Sequence, residues 1–151
     1  MMPAFGCILR ATGKVVRGFG RGSKELGTPT ANMSEDVIEK LPSTMPTGVY
    51  AGWAQVDDGP VYKMVMSLGW NPFYKNKRKS LEVHILHEFP EDFYDSRMQI
   101  VVLTFLRDER NFGSLGDLIA AIGTDIKQAS AFLDEPECIE WKKDPIFWTS
   151  Q

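Results

Sequence analysis

Across residues 47–107 the apolar residues come in short β-branched and aromatic runs separated by turn residues, the pattern of several neighbouring strands. Residues 47–56 (TGVYAGWAQV) and 61–70 (VYKMVMSLGW) flank Asp57-Asp58-Gly59-Pro60, which predicts a hairpin. Residues 81–89 (LEVHILHEF) alternate, with Leu81, Val83, Ile85, His87 and Phe89 on one face and Glu82, His84, Leu86 and Glu88 on the other. A strand with one charged face is expected there. Residues 98–107 (MQIVVLTFLR) are apolar on both sides, which predicts a central strand covered on both faces.

After Asn111 the period changes. Ser114 can cap a helix with Asp117 three residues on, and Leu115, Leu118, Ile119, Ile122, Ile126, Ala129 and Leu133 recur at helical spacing until Pro136. Gly123 interrupts this run at a cost of about 1 kcal/mol against alanine, so it is expected to mark close packing on the sheet. Trp141, Phe147 and Trp148 in the tail are expected to fold back onto the domain. Strands at regular spacing followed by one amphipathic helix predict a mainly β fold, a closed or nearly closed antiparallel barrel with the helix packed outside. Closure also removes exposed edges.

A chain of 151 residues fits one domain, residues 1–151, and its 43% hydrophobic and 25% charged residues exclude a disordered or collagen-like chain. The net charge of -3 supplies no cationic field, so sequence-independent binding to nucleic acid or an anionic membrane is not favoured, and any anion must be met by local basic residues. Cys7 and Cys138 form no CxxC pair and sit near no histidine cluster, which excludes zinc and thioredoxin-like readings and leaves two reduced thiols. The N-terminus lacks a secretory pattern and no run reaches transmembrane length, so a cytoplasmic protein is expected.

Residues 13–33 (GKVVRGFGRGSKELGTPTANM) carry five glycines interleaved with Arg17, Arg21 and Lys24. Such a loop brings backbone N–H groups to a phosphate, although its spacing matches neither GxxxxGK[ST] nor GxGxxG. A flexible basic loop between strands is the plainer reading of the glycines alone. In Pro29-Thr30-Ala31-Asn32, an extended chain points Thr30 and Asn32 to the same side, so a hydroxyl and an amide oxygen face one point. Mg²⁺ keeps several waters and takes one or two protein ligands when phosphates supply the rest. Two neutral oxygens suit a metal that arrives as the ATP complex. A capped turn is the plainer reading of these four residues alone.

The ordered set GKVVRGFGRGSKELGTPTAN, GVYAGWAQV, MSLGWNPFYKNKRKSLEVHILHEFPEDFY and LIAAIGTDIKQA, spanning nearly the whole chain, is similar to eukaryotic riboflavin kinases. The resemblance implies a six-stranded antiparallel Greek-key-like barrel with a C-terminal helix, working on riboflavin and ATP with Mg²⁺ to give FMN; a monomer is expected. By position it makes Gly18 and Lys24 ATP-binding residues and Thr30 and Asn32 the metal ligands. It makes Glu82 the catalytic carboxylate and Ile85, His87, Tyr94 and Arg107 flavin contacts. Ile100, Leu103 and Phe105 match positions lining the nucleotide pocket. Two departures stand out: Thr28 replaces an aliphatic residue before PTAN, and Asp95 replaces a frequent glycine after DFY. Aspartate lacks glycine's conformational freedom, and its charge repels a product phosphate.

Phosphoryl transfer needs positioning, charge neutralisation and one group to accept the attacking hydroxyl's proton. Glu82, on the polar face of its strand, is the candidate base; a solvated strand glutamate is the commoner reading of such a residue. His84 and His87 lack the helical spacing of a zinc pair, and His87 reads as a contact or core residue. Lys75, Lys77, Arg78 and Lys79 beside Trp70, Phe73 and Tyr74 suggest a rival, a single-stranded nucleic-acid-binding barrel, and also fit a flap over a ligand. A barrel that holds flavin without turnover is the other non-catalytic alternative.

Overall fold

The strand runs close on themselves in a computed structural model that describes residues 7–16, 31–70, 79–87, 94–109 and 113–148. The strands are β1 (Leu9–Val16), β2 (Ala31–Met33), β3 (Gly48–Val56), β4 (Val61–Trp70), β5 (Lys79–Ile85) and β6 (Arg97–Asp108). They form a closed barrel in the order β1-β2-β5-β4-β3-β6, with every neighbouring pair antiparallel. A short helix α1 (Glu35–Glu39) follows β2, and α2 (Leu115–Leu133) and α3 (Pro136–Ile139) follow β6. The expected hairpin is β3–β4, whose turn places Asp57 at φ 51°, a left-handed conformation that aspartate tolerates.

Period-two alternation divides the apolar residues into two layers. Val15, Tyr50, Met64, Met66, Leu81, Val83, Met98 and Ile100 fill the barrel interior. Val49, Ala51, Trp53, Val65, Val101 and Leu103 form an outer layer beneath α2 and the C-terminal segment. β6 feeds both layers, as its double-sided apolar pattern requires. Its pairing with β3 shifts between Val49 and Tyr50 and again between Ala51 and Gly52, so Tyr50 faces Phe105 while Gly52 faces Val102. These bulges change the phase of alternation along β6. The Phe105 ring meets Tyr50 edge-on at 5.2 Å.

α2 starts where expected: Ser114 Oγ accepts a hydrogen bond from the Asp117 N–H at 3.1 Å. Lys63 holds its other end through the Ser130 carbonyl and hydroxyl and the Asp134 carboxylate. Only the C-terminal half sits down on the barrel, through Asp125, Ala129 and Leu133. Leu115 and Ile119, in the N-terminal half, remain 51% and 38% exposed, so half of the apolar stripe stands clear of the core. Gly123 corrects an expectation, because a Cβ added there would meet nothing within 4 Å. It is no packing point.

The C-terminal segment covers the outer layer. Pro136 opens α3, the Trp53 indole N–H donates to the Cys138 carbonyl, and Gln55 donates to the Phe147 carbonyl. Arg10 makes a two-pronged ion pair with the buried Asp144. Trp141 and Phe147 are buried, as the tail pattern predicts, whereas Trp148 is 61% exposed and donates its N–H to the Lys142 carbonyl. Cys7 and Cys138 are free thiols, and burial, aided by Glu135 and Glu137, pushes Cys138 up to about 11. No described helix is long and apolar enough to cross a membrane.

Candidate active site

Glu82 and His84 leave β5 on the outer face, because Leu81, Val83 and Ile85 point inward. On one side of β5 the register pairs Ala31 with Val83 and Asn32 with Glu82. On the other it pairs Ser67 of β4 with Glu82. Directly opposed residues share a face with Cβ atoms about 4.5–5.5 Å apart. Asn32, Glu82 and Ser67 therefore form one rung across three strands. Asn32 is 5% exposed, and its Oδ1 has no hydrogen-bond partner among the described residues. A buried amide oxygen left unpaired costs about 1–3 kcal/mol unless something binds it. Its chemistry, a hard neutral oxygen, fits Mg²⁺.

Beside this rung lies a cleft of about 610 Å³ between the outer face of β3–β6 and α2 from Leu115 to Ile126. Its lining is segregated. Ser67, Ser80, Glu82 and Glu109 supply a polar strip, while Val49, Val65, Leu118, Ile122 and Ile126 supply apolar walls. Arg107 on β6 fixes the roof: its Nε and Nη2 donate to the two Asp125 oxygens of α2 at 2.9 and 2.8 Å. Both partners are largely buried, with side chains 16% and 4% exposed. A two-pronged pair of this kind holds orientation as well as charge.

His84 lies in the wall under α2 and is 8% exposed. The expected charged face of β5 is thus roofed over at this position. Burial lowers the His84 pKa from 6.5 to about 4, partly opposed by Asp125. The imidazole is neutral at pH 7. Folding stability from this group is fully present above pH 6.5. As the pH falls below that value, the unfolded chain takes up a proton that the folded chain refuses, until the folded imidazole titrates near 4. The expected loss across that window is about 3 kcal/mol. Urea unfolding at pH 7 and pH 4.5 measures it, and His84→Leu should flatten the dependence. An equally steep loss in that variant assigns it to other groups.

The remaining candidate residues fall in several places. Gly18, Lys24 and Thr30 lie outside the described residues, as do Lys75, Lys77 and Arg78. Ile85 and Ile100 belong to the barrel interior, while Leu103 belongs to the outer layer, so Ile100 and Leu103 do not share a face. Phe105 is 39% exposed against Tyr50. His87 stacks on Tyr62 with ring centroids 3.9 Å apart. Tyr94 packs against the interior core. Asp95 adopts φ 69°, the left-handed region that favours glycine, and its N–H donates to the Val15 carbonyl at 2.8 Å. The flagged departure is therefore accommodated in the backbone, with aspartate in a glycine-like conformation.

Sequence reasoning did not single out Ser67, Ser80, Glu109 or Asp125. Asp125 had a legible signal, a carboxylate on the apolar face of α2 beside Ile122 and Ile126. The serines and Glu109 had none, since only strand register and the course of the chain after β6 bring them to the cleft.

A small closed barrel with a helix-roofed cleft, half apolar and half polar, has the form of a small-molecule site, with the Asn32–Glu82 rung at its edge. The family model for Flavokinase (riboflavin kinase) matches residues 6–133. Over 139 residues the chain is 53% identical to riboflavin kinase of Mus musculus and 52% identical to that of Homo sapiens, covering 92% of this chain and 90% of each relative. The crystal structure of riboflavin kinase from Trypanosoma brucei superposes with a TM-score of 0.74 at 29% identity, covering 94% of this chain and 87% of that one. The chain belongs to the riboflavin kinase family, and it is an enzyme of the transferase class.

Proposed function

We propose that the protein transfers the γ-phosphoryl group of ATP to the terminal ribityl hydroxyl of riboflavin, giving FMN and ADP. Glu82 accepts the hydroxyl proton, and Thr30 and Asn32 hold the Mg²⁺ that accompanies the nucleotide. The observation that carries this reading is the Asn32–Glu82 register pair, which sets an amide oxygen with no partner among the described residues beside a carboxylate at the edge of the cleft. The two halves of the cleft suit the two halves of riboflavin: the apolar walls suit the fused rings, and the polar strip suits the ribityl polyol.

In the reaction the hydroxyl oxygen bonds to the γ-phosphorus, the bond from that phosphorus to the β-bridging oxygen breaks, and the proton passes to Glu82. Gly18, Lys24 and the neighbouring loop amides are assigned to the phosphates. Mg²⁺ supplies neutralisation of the charge that spreads over the transferring oxygens. Arg107, which lines the cleft and is held by Asp125, is assigned to the flavin. By the family resemblance Ile85, His87 and Tyr94 are assigned to the flavin and Ile100, Leu103 and Phe105 to the nucleotide, although none of the six lines the cleft; Ile85 and Ile100 lie in the barrel interior and would act through the packing that shapes its wall. A monomer in the cytoplasm is the working state.

Incubation with riboflavin, ATP and Mg²⁺, followed by chromatography, should show FMN accumulating only in the presence of the metal. Flavin that binds tightly while ATP stays intact would point instead to a carrier.

A further inference from the structure

Gly69 interrupts β4 where an ordinary side chain strengthens a strand, and interior strand glycines mark close approach by another group. Here that group is the Glu109 carboxylate. A Cβ built on Gly69 would lie 2.8 Å from Glu109 Oε1 and 3.2 Å from its Cδ. Glu109 follows the end of β6, yet its side chain folds back over the sheet and lines the same cleft as Glu82.

The register sets the relation between the two carboxylates. Ser67 faces Glu82, and two residues further along β4 Gly69 faces Ser80. Alternate residues share a face, so the Gly69 rung lies on the outer side about 7 Å along the strand from the Glu82 rung. Glu109 occupies the position above Gly69 and lines the cleft together with Ser67 and Ser80. The result is a polar track leading to Glu82 with acceptor oxygens at its far end.

We infer that Glu109 is a positioning residue that accepts hydrogen bonds from the secondary ribityl hydroxyls, and that Gly69 is glycine to let its carboxylate lie flat in the track. The inference rests on the flavin reading of the cleft. A ribityl chain carries three secondary hydroxyls before its reactive terminal one, so a carboxylate one rung away can hold the polyol while the terminal hydroxyl reaches Glu82. A charged acceptor is the stronger partner for a hydroxyl donor. Glu109 does not touch the reacting atoms and takes no proton.

The test compares riboflavin with lumiflavin, which has the same ring system and a methyl group in place of the ribityl chain. Binding is read by flavin fluorescence in the presence of ADP and Mg²⁺. Glu109→Ala should weaken riboflavin binding roughly 10- to 100-fold, the effect of removing one charged hydrogen bond, and leave lumiflavin unchanged. Glu109→Gln, which keeps one acceptor oxygen, should recover part of the loss. Gly69→Ala should mimic Glu109→Ala by displacing the carboxylate, and adding it to Glu109→Ala should cost nothing more. In turnover, the KM for riboflavin should rise while the KM for ATP holds. Neither change threatens folding, since Glu109 is exposed and the obstacle at Gly69 is the end of a flexible side chain. Equal weakening of both flavins, or of neither, overturns the inference while leaving the flavin site in place. Wild-type protein that binds neither flavin overturns the flavin reading itself, and this inference with it.

Discussion

Glu82→Gln is expected to reduce turnover by roughly 10²- to 10⁴-fold, the usual contribution of a positioned general base, while the affinities for riboflavin and ATP stay nearly unchanged. The amide keeps the shape of the carboxylate and one acceptor oxygen, so ground-state contacts survive. On the proposed mechanism, what it removes is a site for the attacking hydroxyl's proton. Glu82 sits centrally on its rung, opposed by Asn32 on one side and Ser67 on the other, so the substitution disturbs no apolar packing. The measurement is steady-state FMN formation beside equilibrium flavin binding. Turnover within a few-fold of wild type removes Glu82 from the chemistry, and a matching loss of binding makes it a structural residue.

Gly52→Ala should damage the fold more than any other single methyl addition among the described glycines. A Cβ at Gly52 would overlap the Val101 carbonyl oxygen and lie 2.9 Å from the Val101 carbonyl carbon and 3.0 Å from Val102 Cα. Every one of these atoms is backbone, and they lie beside the bulge where β3 and β6 change register. A flexible side chain could swing aside, but β6 cannot move without disturbing its pairing with both β1 and β3. Overpacking against an immovable neighbour costs at least about 3 kcal/mol. Urea unfolding measures it, with Gly123→Ala as the contrast: there the added methyl meets open space, and helix propensity alone should raise stability by up to about 1 kcal/mol. A Gly52→Ala variant as stable as wild type would mean that the two strands do not approach this closely at the bulge.

The two substitutions separate what the chain encodes locally from what it encodes only once folded. Alternation over residues 81–85 and the double-sided apolar run of β6 are short-range patterns, and both came through as an inward face and a two-layered core. The hairpin at Asp57 and the Ser114 cap were equally local, since turn and cap chemistry need only a few neighbouring residues. β1 and β2 carried no comparable signal. β1 contains a glycine amid weak alternation, and β2 is three residues long, so its place is set by partners distant in sequence.

The sequence by itself determined the strand faces, the amphipathic helix and, through resemblance, the candidate base and metal ligands, because side-chain periodicity and residue chemistry are properties of short segments. Only the tertiary structure decided that Asn32 stands opposite Glu82, that α2 seats one half and roofs a cleft with the other, and that Glu109 lies over Gly69. Those relations depend on strand register, barrel closure and the bulges of β6. Each is fixed by contacts between residues far apart in the chain, to which no local pattern is sensitive.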